Sequence, residues 1–345
     1  MSSRRLIVLT TGRIGADAPN QYTHLWAEAL RSQGIRVLPF RQRTLVRGTY
    51  DALHVHFPEA PLNEVSTRRA AVGSARNLAI VWVARLRGAQ VVYTAHNLRS
   101  HDQQHPWLEA MFWRLFSTSV TEVVVLGNHA LAALRSSSNS LGRLPHTVVP
   151  HGLYQRPVAE AGEQAVVRRD QAIRRIAMLG QIRAYKDHLA VLSAWRALGR
   201  DDVHLVIAGE PRDHRIASQL RSQTLGDDRV DLDLRYLSES ELWLLTSHVD
   251  LVVVTNDGAL NSGAIAYALS CGTPVASYDF PGARDLHDAV GENWIFFLDN
   301  PVTSQSLEGA LEWLEARSAQ SDPTVLERLS WSSLSRRAAG VYRQR

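Results

Sequence analysis

The sequence predicts an α/β protein made of two doubly wound, Rossmann-like domains in tandem, facing a central cleft where a ligand would sit. Three observations carry that expectation. Short apolar runs alternate with helical patterns from residue 5 to residue 152. A polar stretch, 155–172, then breaks the alternation without a strand of its own. The alternation restarts at 173, and 345 residues suit two ordinary domains better than one core.

The elements follow in order. RLIVLT (5–10) reads as a strand, the pattern over 20–33 as a helix closed by Gly34, and IRVLPF (35–40) as a second strand. ALHVHF (52–57), a long helix near 68–87, QVVYTA (90–95), a helix near 106–117, VTEVVVL (120–126), a helix from about 128 and HTVVPHG (146–152) complete the first series. The second series runs RRIAML (174–179), helix 186–198, VHLVIAG (203–209), helix 212–222, RVDLDLRYL (229–237), helix 238–247, DLVVVT (250–255), helix 262–270 and PVASY (274–278). PVASY leads to the region around 282–288, and helices near 304–317 and 324–342 finish it. Six-residue strands alternating with helices indicate parallel sheets covered on both faces. The expected domains are therefore 1–154 for the acceptor side, a linker 155–172, and 173–323 for the donor side. A final segment, 324–345, would be placed to cross back to the first domain.

Composition narrows the class. A hydrophobic content of 45% with 21% charged residues describes a soluble globular chain. No run approaches the roughly 18 apolar residues of a membrane span. The N-terminal MSSRRLIVLTTGR is too short in its apolar part for a signal peptide and reads as the first strand. One cysteine, Cys271, excludes an internal disulfide and fits a reducing cytoplasm.

Charge is unevenly spread. Residues 1–157 hold 18 arginines against 8 carboxylates, a net of +10, whereas 158–345 hold 20 basic against 26 acidic residues, a net of −6. A basic half suits an anionic partner or simply a solvated arginine-rich surface. No nucleic-acid reader motif accompanies it. Of the 38 basic residues, 37 are arginine, and the single lysine is Lys186, in LGQIRAYKD (179–187) just after a strand. A compact ammonium suits a narrow phosphate pocket better than a planar guanidinium does.

Four clusters lie after strands. GRIGADAPNQY (12–22) is a glycine-containing loop without a full dinucleotide fingerprint, and it supplies Asp17, Asn20 and Tyr22. HVHFPE (54–59) and TAHNLRSHD (94–102) bring His54, His56, Glu59, His96, Asn97, His101 and Asp102. Their spacing matches no zinc motif, so acid–base or hydrogen-bonding work is expected and metal is not. Asp102 is the expected base, with His96 second and Asp17 or Glu59 behind them; a helix N-cap is the competing role for Asp102. GQIRAYK (180–186) places Gly180, Arg183 and Lys186 at a strand-to-helix turn, an anion site by charge and free backbone donors. In TNDGALNSGAIAYALSCGTPV (255–275), Asn261, Ser262 and Gly263 open an apolar helix, either as a plain cap or as a second diphosphate contact.

These motifs resemble the GT-B-fold glycosyltransferases over nearly the whole chain. LGQIRAYKDHLAVLSAWRAL is similar to their G-R-L-x-x-x-K segment, which implies that Lys186 binds the donor diphosphate. HLVIAGEP is similar to the following strand and glycine turn, with Glu210, and ALSCGTPVASYDFPGARDL resembles their A-x-x-C-G-x-P-V segment. Two departures stand out. Gln181 occupies the family's arginine position, leaving Arg183 to supply charge. The paired glutamates of retaining members fall on Ala259 and Tyr267, which removes the carboxylate that holds the ribose.

DALHVHFPE, TAHNLRSHD, VVPHGLY, GQIRAYK and LNSGA together resemble the β-1,4-mannosyltransferases of xanthan-type exopolysaccharide assembly. The resemblance implies hexosyl transfer with inversion, from GDP-mannose to a polyprenyl-diphosphate-linked or other glycan acceptor, with no cofactor and no metal. It implies donor contacts from Arg183, Lys186, Gly180, Glu210, Asn261, Ser262 and Gly263. The acceptor and sugar pocket would draw on Asn20, Tyr22, His56, Asn97 and His151, in a cytoplasmic protein peripheral to an anionic membrane surface. A retaining transferase with another nucleotide sugar, a nucleotide-sugar epimerase and a non-catalytic nucleotide-sugar or anionic-surface binder remain the alternatives.

Overall fold

The computed structural model describes residues 5–15, 21–97, 104–137, 140–157, 173–256, 260–317 and 322–343. The chain divides into two compact units, Met1–Gly152 with Leu329–Arg345, and Leu153–Arg328.

The first unit runs β1 (Ile7–Thr10), α1 (Gln21–Ser32), β2 (Arg36–Pro39), α2 (Gln42–Arg47), β3 (Ala52–Val55), α3 (Thr67–Leu86), β4 (Gln90–Thr94), α4 (Pro106–Ser117), β5 (Glu122–Val125), α5 (Asn128–Ser136) and β6 (His146–Val148). Its six strands are all parallel in the order β2-β1-β3-β4-β5-β6. Val123, Val124 and Val125 are all fully buried, the continuous apolar run expected of a strand covered on both faces. In α1 the buried Tyr22, Leu25, Trp26, Ala29 and Leu30 fall at helical spacing and form one face.

The second unit runs β7 (Arg174–Leu179), α6 (His188–Leu198), β8 (Val203–Ala208), α7 (His214–Thr224), β9 (Val230–Asp233), α8 (Glu239–Ser247), β10 (Leu251–Val254), α9 (Gly263–Ser270), β11 (Val275–Tyr278), α10 (Pro281–Val290), β12 (Ile295–Leu298) and α11 (Ser304–Arg317). Its parallel sheet has the order β12-β11-β10-β7-β8-β9. Counted within the unit this is 3-2-1-4-5-6, the order of doubly wound nucleotide-binding sheets. Local signals set the helix starts: Asp213 caps α7, and Ser238 forms a reciprocal capping box with Glu241 on α8.

The last helix, α12 (Trp331–Gly340), returns to the first unit and packs on α1. Gln33 donates to Ser335 Oγ (3.1 Å) and Gln90 to the Val341 carbonyl (3.1 Å), tying the C-terminal segment down.

Several element boundaries differ from expectation. The continuous helix over 324–342 is instead a 3-10 segment, Pro323–Leu329, followed by α12, because Ser330 takes the N-cap and accepts from Ser333 N. The strand expected over 229–237 is only Val230–Asp233, at the sheet edge where one neighbour holds it. Two elements are additional: α2, six residues with one buried leucine, and β12, a four-residue strand at the opposite edge.

Candidate active site

In the second unit, strand order reverses between β7 and β10, which pair side by side. Doubly wound sheets bind ligands outside the carboxyl ends of the strands at this point. The loops leaving these two strands carry GQIRAYK and the segment ending in Asn261-Ser262. They are fastened together: Thr255 Oγ1 donates to the Lys186 carbonyl at 2.6 Å.

The turn after β7 is tight. Gly180 has φ +92, and the Gly209 turn after β8 lies so close that a Cβ on Gly209 would collide with the Gly180 backbone. Ile182 N donates to the Glu210 carbonyl (2.9 Å), which holds these turns side by side. The Glu210 carboxylate itself is paired with Arg212 (2.8 Å).

Lys186 folds back so that its Nζ lies 3.6 Å from where a Gly180 Cβ would be. Burial, and then the Arg183 guanidinium, push its ammonium down to about 8. Among the described residues no carboxylate pairs with Lys186. A buried ammonium beside a guanidinium over a glycine turn, itself paired with no carboxylate among the described residues, forms a site that gains from an anion. Neighbouring His188 is buried, and burial plus Lys186 push it down to about 3, so it stays neutral. Asp187 has left-handed backbone (φ 39), and its carboxylate accepts from Tyr278 Oη (3.1 Å).

Ser262 is buried and caps α9, its Oγ accepting from Ile265 N (3.2 Å). A Cβ on Gly263 would come within 2.9 Å of Tyr154 Oη, so a glycine opens this helix beneath a tyrosine. Asn261 is wedged from behind, because a Cβ on Gly282 of α10 would meet its Cα at 2.5 Å. Tyr154 and Tyr267 are in ring contact (5.5 Å), Tyr267 also meets Trp243 (5.7 Å), and Tyr267 Oη donates to the Glu239 carbonyl (3.2 Å). An aromatic cluster thus stands where the family pattern has a ribose-holding carboxylate. Ala259 lies outside the described residues.

The first unit gathers its histidines around Tyr22. That ring lies 5.0 Å from both His96 and His151 and 5.5 Å from Trp331. His56 Nδ1 is 3.2 Å from His96 Nε2, and Phe57 stacks on His96 at 4.1 Å. Phe57 has left-handed backbone (φ 50). Phe57 and Asp187 are the two such non-glycine residues among those described, one in each cluster, the kind of place where backbone strain is usually found.

Beneath them runs a directed chain. Trp26 Nε1 donates to Tyr342 Oη (3.2 Å), whose hydroxyl therefore donates to His54 Nδ1 (2.6 Å). The His54 proton is then on Nε2, donated to Thr94 Oγ1 (2.7 Å). Burial lowers the pKa of all four clustered histidines: His56 to about 3, His151 to about 4, and His54 and His96 well below the usual value. They are neutral hydrogen-bonding groups at pH 7, and His96 is a weak base. Gly12 serves packing: a Cβ there would meet Thr23 Cγ2 at 2.7 Å and His56 Cδ2 at 3.2 Å.

Glu59 is buried, and burial raises its pKa. Its Oε1 accepts from Asn97 Nδ2 (3.0 Å), while Oε2 is buried with no hydrogen-bond partner among the described residues.

The structure thus brings together Gly180, Arg183, Lys186 and Glu210 in one set of turns and places Asn261, Ser262 and Gly263 at the start of α9. Tyr22, His56, His96 and His151 form one cluster, with Asn97 on Glu59. Asp17, Asn20, His101 and Asp102 lie outside the described residues. The N-cap position of α4 is His105, not Asp102. Thr255 and Tyr154 lay inside segments singled out in the sequence but with no role of their own, and Tyr342 lay in none; each acts through a partner distant in sequence. Among the described residues no group of three or more His, Cys, Asp or Glu side chains could hold a metal ion, and no helix is long and apolar enough to cross a membrane.

Two parallel six-stranded sheets with flanking helices give the chain the GT-B fold, with a cationic turn at the strand-order switch of the second sheet. Residues 173–314 match the family described as "Glycosyl transferases group 1", and the protein is a glycosyltransferase. Over 290 residues it is 25% identical to GDP-mannose:glycolipid 4-beta-D-mannosyltransferase of Xanthomonas campestris pv. campestris, covering 84% of this chain and 78% of the relative. Two solved structures share the fold: E. coli trehalose-6-phosphate bound with UDP-2-fluoro glucose (TM-score 0.68, 11% identity, 98% and 99% of the two chains) and Anabaena HepE in complex with UDP-glucose (0.65, 14%, 97% and 98%).

Proposed function

We propose that the protein transfers mannose from GDP-mannose to a lipid-linked glycan. The observation that carries the donor half is the Lys186 ammonium, held over the Gly180 turn beside Arg183 with no carboxylate paired to it. A nucleoside diphosphate supplies the missing negative charge. As the glycosidic bond breaks, charge grows on the leaving diphosphate, and Arg183, Lys186 and the N–H groups after Ser262 stabilise it in place of a divalent ion. The likeness to the Xanthomonas mannosyltransferase supports mannose, GDP and a glycolipid acceptor.

The first unit then acts on the acceptor hydroxyl. Asp102 takes its proton, and His96, Asn97 and His151 orient the sugar as neutral partners. Turnover should be abolished in Asp102→Asn while donor binding persists.

A thermal-shift screen of nucleotide sugars tests the donor. A ligand at 100 times its Kd stabilises by about 2.7 kcal/mol. GDP-mannose should raise Tm more than UDP sugars do, and Lys186→Ala should lose the shift. Equal responses to all nucleotides, or an unaltered response in Lys186→Ala, would overturn the reading.

A further inference from the structure

We propose that the α2–α3–α4 face of the first unit docks on an anionic lipid bilayer. The proposal deepens the lipid-linked-acceptor reading and rests on it for its purpose, while its observations are separate from the donor site.

Helix α3 is apolar on two faces. Ala70, Leu78, Val81 and Ala84 are buried against the unit. The opposite, exposed side carries Val72, Ala75, Ala79, Trp82 and Leu86, spaced three or four residues apart as one stripe along 20 residues. Leu86 is 87% exposed. Helix α4 touches α3 and repeats the pattern: Phe112, Trp113 and Phe116 are buried, while Trp107 (63% exposed), Ala110 and Met111 face out. Helix α2, on α3, adds exposed Val46. Seven of the nine exposed large apolar side chains among the described residues lie in the first unit, on these helices or at Val65 just before α3. An apolar area of this kind marks an interaction surface.

Charge selects the occupant. The same exposed side carries Arg43, Arg47, Arg68, Arg69, Arg76 and Arg114, and α2 and α3 contain no carboxylate. Among the described residues none of these six has an ion-pair partner. In the second unit, by contrast, Arg175, Arg200, Arg212, Arg229, Arg235 and Arg284 are each paired with Asp or Glu. The basic excess of the first unit is therefore both unneutralised and interleaved with Trp, Leu, Val and Met. Nucleic acid would use the arginines but not the aliphatic stripe, and a second copy would set arginines against arginines. A bilayer with anionic headgroups uses both: tryptophans at the interface, aliphatic side chains just below it, arginines on the phosphates.

Flotation of the full chain with vesicles tests this, comparing phosphatidylcholine alone with a phosphatidylcholine–phosphatidylglycerol mixture at low and high salt. Binding should require the anionic lipid and weaken with salt. Each arginine near the surface contributes about fivefold, so Arg68→Gln/Arg69→Gln/Arg76→Gln should lose roughly 100-fold in partitioning at low salt. Trp82→Ser/Leu86→Ser/Trp107→Ser should remove the part that survives high salt. Both sets should keep the donor-induced thermal shift. Wild-type protein that does not float, floats equally with neutral lipid, or is unaffected by either set overturns the proposal. So does dimerisation through this face, or RNA binding, in place of vesicle binding. Protein that floats as described yet gains no stability from any nucleotide sugar contradicts the donor reading and leaves the docking face standing.

Discussion

Thr255 Oγ1 donates a 2.6 Å hydrogen bond to the Lys186 carbonyl, joining the loops that leave β10 and β7 at the point where strand order reverses. Thr255 is buried, so the bond is made away from solvent. It fixes the backbone from which the one lysine of the chain reaches over Gly180.

Replacing Thr255 by Val keeps the shape and removes the donor. A hydrogen bond of this kind contributes about 0.5–1.5 kcal/mol net. Thr255→Val should therefore weaken GDP-mannose binding about 2–10-fold in calorimetry, with a Tm within a few degrees of wild type. Unchanged affinity would mean that the loop is held by other contacts.

Lys186 makes donor binding pH-dependent. Its pKa in the free protein is about 8, and a bound diphosphate raises it. Binding therefore takes up a proton near pH 8. Affinity should be full below that value and fall as pH rises through it. Calorimetry in buffers of different ionisation enthalpy should show the uptake, and Lys186→Arg, charged throughout, should show none.

The clustered histidines set the acid limit of the first unit. Their folded pKa values lie below 6.5, to about 3 for His56 and about 4 for His151, so the unfolded chain binds more protons in that window. Stability is complete above pH 6.5 and is lost as pH falls, by about 1.4 kcal/mol per pH unit for each such histidine. Stability measured by urea unfolding should fall less steeply between pH 7 and pH 5 for His56→Gln than for wild type. Parallel slopes would contradict the burial argument.

Glu59 titrates in the opposite sense. Its pKa is raised, so the stability associated with its protonated form is present below pH 4.5 and lost as pH rises through the folded value. Glu59→Gln retains an acceptor for Asn97 and removes the buried charge. It should be more stable than wild type at neutral pH while keeping turnover, whereas Asp102→Asn should not turn over. A collapse of activity in Glu59→Gln with donor binding intact would move the base to Glu59.

Much of this architecture was readable in the residues. Runs such as VTEVVVL and VHLVIAG are strands because a sheet covered on both faces demands continuous β-branched residues, and both lie where expected. Lys186 was conspicuous through composition alone, and its cationic turn is where doubly wound sheets bind anions. Short edge elements were not readable: β12 is four residues, and α2 hides one buried leucine. Nor were the partners that depend on long-range packing. Nothing local in Tyr342 signals a bond to His54, 288 positions away, and nothing in Thr255 signals Lys186. The same limit applied to the histidines. The sequence placed His54 and His56 together at a strand end, but only their burial, His54 against Trp26 and His56 against Tyr22, showed that they are neutral.

The central claim is transfer of a hexose from a nucleotide donor by a site centred on Lys186. The most direct test follows GDP-mannose labelled in the sugar, with a polyprenyl-diphosphate-linked glycan as acceptor, in wild type and Lys186→Ala. The account predicts label in the lipid fraction, GDP released in equal amount, and loss of both by roughly 10–150-fold in the variant. Label recovered as an isomeric sugar nucleotide without acceptor, or transfer undiminished in Lys186→Ala, would contradict it.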